Sequence, residues 1–132
     1  MTRKLSTVLK NDVKGHDVEM PWPPVAEYMK EGEAFNPCSL KAFLRLLLAD
    51  EPDISAHLPD RMKRLIGSIG QDIVYGITAG KVKPPKHIML PYAVKSLTGC
   101  VEVIRLLNSC GHGVSYLKLE EIDTALCLQK CL

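Results

Sequence analysis

A chain of 132 residues with 46% hydrophobic and 24% charged content has the balance of a soluble globular domain, which excludes a disordered tail. Its apolar runs stop at four residues, as in Leu46-Leu47-Leu48-Ala49, far short of the roughly 20 a membrane helix needs. Net charge is only +2, but residues 57–95 hold seven Lys or Arg against two Asp or Glu, a local net of +5 between segments 21–56 (−3) and 96–132 (−1).

Residues 1–24 are expected as a loose arm ending in the stiff strip Pro21-Trp22-Pro23-Pro24, because each proline fixes its own φ and holds its predecessor out of the helical region. A single helical domain is expected over 25–132. Asn36-Pro37-Cys38-Ser39 announces a first helix capped by Ser39, with Leu40, Phe43, Leu44 and Leu47 inward and Asp50-Glu51-Pro52-Asp53 ending it. A second runs from about Pro59 to Ala79, with Met62, Leu65, Ile66, Ile69, Ile73 and Ile77 at three- and four-residue steps and Gly80 as its C′ residue.

Lys81-Val82-Lys83-Pro84-Pro85 reads as a rigid basic connector. A shorter helix, about His87 to Leu97, would bury Leu90, Val94 and Leu97, with Pro91 tolerable only in its first turn. Thr98 can cap a fourth helix bearing Val101, Ile104 and Leu107, and Ser115 a last one with Leu119, Ile122 and Leu126 inward. No hairpin signal of strands occurs, so the fold class is all-α: about five helices ending in a helical hairpin.

Four stretches invite chemistry. Cys110, His112, Cys127 and Cys131 have the thiolate and imidazole ligands of zinc, yet C-x-H-x14-C-x3-C matches no common finger spacing. No nucleophile elbow, P-loop or dinucleotide fingerprint is present, so no enzyme and no cofactor is expected. Leu65-Ile66-Gly67-Ser68-Ile69-Gly70-Gln71-Asp72-Ile73 resembles the I-G-x-x-G core of KH domains, whose loop clamps single-stranded nucleic acid; here the loop positions lack basic residues. Finally, Ser109, Gly111, Gly113-Val114-Ser115, Leu119 and Ile122 resemble the turn of helix-turn-helix proteins. Glu120, Glu121 and Asp123 on the second helix oppose phosphate contact, which favours an ordinary helical hairpin.

A wider resemblance rests on Ser68-Ile69-Gly70-Gln71-Asp72, Lys83-Pro84-Pro85-Lys86-His87, Val94-Lys95-Ser96-Leu97-Thr98-Gly99, Leu107-Asn108, Gly111-His112, Ser115-Tyr116 and Ile122-Asp123-Thr124. Over about residues 60–126 this order resembles an uncharacterised family of animal open reading frames associated with mobile elements. The resemblance implies no activity and no catalytic residues; it implies a nucleic-acid-related role.

The expected function is a non-catalytic helical binding module that contacts nucleic acid through Arg61, Lys63, Arg64, Lys81, Lys83 and Lys86. The rival is a protein-interaction or self-assembly domain, in which the acidic 21–56 and basic 57–95 segments pair between chains and the proline strip docks a partner. Five cysteines without disulfide spacing, and an opening run without the apolar core of a secretory signal, predict an intracellular protein, nuclear or cytoplasmic.

Overall fold

A computed structural model describes residues 2–15, 35–53 and 55–131, and the described residues are helical with no strand. The helices are α1 (Thr2–Gly15), α2 (Cys38–Ala49), α3 (Asp60–Ile77), α4 (Pro85–Thr98), α5 (Val101–Ser109) and α6 (Tyr116–Lys130). The all-α class is therefore as the periodicity indicates. The Pro21-Trp22-Pro23-Pro24 strip lies outside the described residues. The chain divides into two compact units: α1, α2 and α3 belong to the first, which runs to Val82, and α4, α5 and α6 to the second, from Lys83.

The first unit gains a helix where a loose arm is expected. Leu5, Val8, Leu9 and Val13 fall at helical steps, and Val13 is buried where α1 packs against α2 and α3. The stripe is only four residues wide among cations, which hides it from a periodicity reading. In α2, Leu40 and Leu44 are buried as expected, but Leu47 is 63% exposed and Arg45 takes the inward position. Arg45 Nη2 donates to the carbonyls of Asp53 (3.3 Å) and Ala56, so a guanidinium closes the chain that follows α2. Helix α2 begins before Ser39, at Cys38, with the Pro37 carbonyl accepting from the Lys41 N–H.

Helix α3 corrects both the expected inward face and the KH reading. Residues 65–73 lie wholly inside it, and Gly67 and Gly70 are buried with Ile66, Gln71 and Val74, so there is no loop to clamp a nucleic-acid strand. Leu65 is 46% exposed instead. The glycines serve a buried asparagine. The Asn36 amide donates to the Gly67 carbonyl (3.2 Å), and a Cβ on Gly70 would collide with that same amide. The end of α3 also differs from expectation. Ala79 takes the left-handed C′ position (φ 52°) and Gly80 follows it (φ 77°), with the Gly80 N–H donating to Tyr75 O at 2.9 Å.

In the second unit, α4 starts two residues earlier than expected, so Pro91 stands inside it and not in its first turn. Pro91 has no N–H for the carbonyl of His87 four residues back. That carbonyl instead accepts from the backbone N–H of Val114 (3.0 Å), in the bend between α5 and α6. Gly113 lies against the same proline, where a Cβ would strike its ring. Leu90 and Leu97, expected inside, are exposed, and the buried face is Pro85, His87, Ile88 and Pro91. The core is completed by Ile104, Val114, Leu119 and Ile122, all at or below 1% exposure. Each such aliphatic contributes roughly 1.5–3 kcal/mol, so this cluster outweighs any surface ion pair.

Candidate nucleic-acid interface

The closing hairpin forms as the spacing predicts. Gly111 adopts φ 79°, its N–H donates to Asn108 O (3.0 Å), and the His112 N–H donates to Leu107 O (2.8 Å). These two bonds make a Schellman ending for α5. Asn108 Nδ2 then donates to Gly113 O (2.9 Å), and Ser115 Oγ caps α6 by accepting from the Lys118 N–H (3.2 Å). His112 is exposed at the tip. Cys110, Cys127 and Cys131 are exposed free thiols, and among the described residues no group of three or more His, Cys, Asp or Glu side chains could hold a metal ion. The zinc set is therefore not assembled, because the helical hairpin leaves its members scattered.

The expected phosphate contacts divide between the two units. Arg61, Lys63 and Arg64 share the first turn of α3, where Arg61 and Arg64 are exposed and Lys63 is half-buried. Lys81 is exposed past the other end of that 18-residue helix, about 27 Å away at 1.5 Å per residue. These four do not converge. No carboxylate among the described residues pairs with any of them. Lys83 and Lys86 belong to the second unit, at the start of α4, and both are half-buried. Burial pushes the Lys83 ammonium below the usual lysine value, and the neighbouring charge of Lys118 pushes it further in the same direction.

Lys118, the one cation set against Glu120, Glu121 and Asp123, lies outside the 57–95 segment, in the first turn of α6 after the Ser115 cap. Lys95 on α4 reaches across to Glu120 (2.7 Å) and Asp123 (2.8 Å) on α6, the second pairing spanning 28 positions, and no local pattern announces either. Hydrogen bonds from Lys95 first, then Tyr116, hold the Glu120 carboxyl below its ordinary value. Lys118 Nζ pairs with Glu121 at 3.1 Å. The acidic side chains counted against phosphate contact are thus each engaged by a lysine.

Comparison with known proteins finds no matching family, no matching curated relative and no matching solved structure. Among the described residues, no helix is long and apolar enough to cross a membrane.

Proposed function

We propose that this chain is a non-catalytic helical module that contacts nucleic acid through the cations of its basic middle, in keeping with the mobile-element resemblance of residues 60–126. The observation that carries the reading is the local excess of seven cations over two anions in residues 57–95, in a chain whose total is only +2. Phosphate contacts of this kind give affinity without base readout, and affinity then falls steeply with salt. With seven Phe, Trp and Tyr in the whole chain, stacking on bases is a minor contribution.

The division of the cations sharpens the test. A low-salt shift assay on duplex and single-stranded DNA compares Arg61→Glu/Arg64→Glu with Lys83→Glu/Lys86→Glu. Each pair should weaken binding by at least about tenfold and reduce the slope against log salt by about 2. Binding that ignores both pairs sinks the proposal.

A second reading, association with protein or with another copy, has its own observation. Leu97, Leu117, Leu47, Leu106 and Leu128 are 85%, 77%, 63%, 62% and 62% exposed. Apolar side chains in that state are candidates for burial by a partner. Light scattering over a range of concentration and salt separates the readings: a monomer throughout, which still binds DNA, removes self-assembly.

A further inference from the structure

The two halves of α1 are held differently. Its second half is anchored: Val13 is buried where α1 meets α2 and α3, and Leu9 is half-buried. Its first half has no such anchor. Arg3, Lys4, Leu5, Ser6, Thr7 and Val8 are all exposed, with Leu5 at 46% and Val8 at 53%. The first turn also opposes its own helix dipole, because it holds Arg3 and Lys4 and no acidic residue at the end where the dipole is positive. Unwinding this half sacrifices no buried apolar contact and relieves a charge conflict, so it is the part of α1 that opens first.

Once open, the segment presents its charges in a definite order. Ser6 follows Arg3 by three residues and Lys4 by two, the order that kinases with acidic substrate clefts read in an extended chain. Thr7, one residue on, meets the same cations out of register. Thr98 also follows a lysine by three, but Lys95 is held by Glu120 and Asp123 and does not offer its charge to a kinase.

We infer that Ser6 is a phosphorylation site for a serine/threonine kinase of this basophilic class. The Ser6 hydroxyl oxygen bonds to the γ-phosphorus of Mg-ATP as the bond to the β,γ-bridging oxygen breaks; ADP leaves, and the hydroxyl proton passes to the kinase's catalytic carboxylate. The product suits the re-formed helix. Arg3 and Lys10, three residues before Ser6 and four after it, share its side of α1 and are within reach of a phosphate there. The charge of α1, +3 from Arg3, Lys4, Lys10, Lys14 and Asp12, falls to about +1. This site stands independently of the nucleic-acid reading.

The test treats the full chain with Mg-ATP and the catalytic subunit of cyclic-AMP-dependent protein kinase, a basophilic enzyme, and maps the product by tandem mass spectrometry. One phosphoryl group on Ser6 is expected, absent in Ser6→Ala and retained in Ser6→Thr. Arg3→Gln/Lys4→Gln should lower kcat/KM by at least about tenfold, since two opposite-charge contacts with the kinase are lost. Arg3→Lys, which keeps the charge, should lose much less, and circular dichroism of each unmodified variant reports whether the helices persist. No incorporation, incorporation at Thr7 or Thr98 in place of Ser6, or a rate indifferent to the Gln pair would overturn the site. An acidophilic kinase, which reads carboxylates around the hydroxyl, should leave Ser6 unmodified; equal modification by both enzymes would also count against it. On phosphorylation, amide exchange from Leu5 to Leu9 should slow several-fold. Unchanged exchange would overturn the pairing with Arg3 and Lys10.

Discussion

The two units bury comparable aliphatic side chains but join their parts by opposite means. In the first, a missing side chain makes room for a polar one: Gly70 leaves space for the Asn36 amide, which donates to Gly67 O. A buried guanidinium, Arg45, likewise satisfies carbonyls of the following chain. In the second, a missing N–H makes room for a backbone: Pro91 frees the His87 carbonyl for Val114, and the helices are then clasped at the surface by Lys95. The first arrangement is buried and set by close contact, so it responds to shape. The second has a backbone bond at its centre and ions at its rim, so part of it responds to pH and salt.

The largest expected effect tests the glycine seat. In an exposed helix Gly→Ala gains up to about 1 kcal/mol, so propensity alone predicts that Gly70→Ala stabilises. The collision with Asn36 reverses the sign: a net loss of about 2 kcal/mol is expected in urea unfolding, from overpacking and a strained buried hydrogen bond. In the Asn36→Ala background the same change should cost much less. Equal cost in both backgrounds would show that the amide is not what Gly70 accommodates.

A middle-sized effect belongs to the bend. Gly111→Val should cost more than about 1 kcal/mol, because φ 79° strains a β-branched residue and the two Schellman bonds depend on that geometry. His112→Ala, at an exposed tip position, should leave the melting temperature nearly unchanged and any DNA affinity intact. The reverse ordering, a tolerant glycine and an indispensable histidine, would make the bend a site.

The smallest effect separates the units by pH. The folded-state pKa of Glu120 lies below its ordinary 4.5, so its contribution is present above that value and is lost as pH falls through the folded value. Lys95 is raised above 10.5 by its bonds to Asp123 and Glu120, so its contribution is complete below that value and fades only in strong alkali. Acidification from about pH 7 to about pH 3 should therefore loosen amide protection at Ile104 and Leu119 more in the wild type than in Lys95→Met, which has no clasp to lose. Identical acid sensitivity in the two proteins would show that the clasp carries no stability.

What the sequence determined by itself was local. The helical class, the Ser115 cap, the inward Leu119 and Ile122, and the turn at Gly111 all follow from side-chain periodicity and backbone preferences within a few residues. The inward face of α3 was misread because glycine carries no hydrophobic signal, although Gly67 and Gly70 line the buried side. Helix α1 was missed because four apolar residues among cations make too narrow a stripe. Tertiary structure alone decided which leucines stay outside, because Arg45 and Pro91 turn α2 and α4 to meet backbone partners beyond their own helices. It also divided the basic residues between two units. Like the Lys95–Asp123 pair across 28 positions, that division depends on how helices pack, and packing is settled by backbone groups that the identity of the charged residues does not reveal.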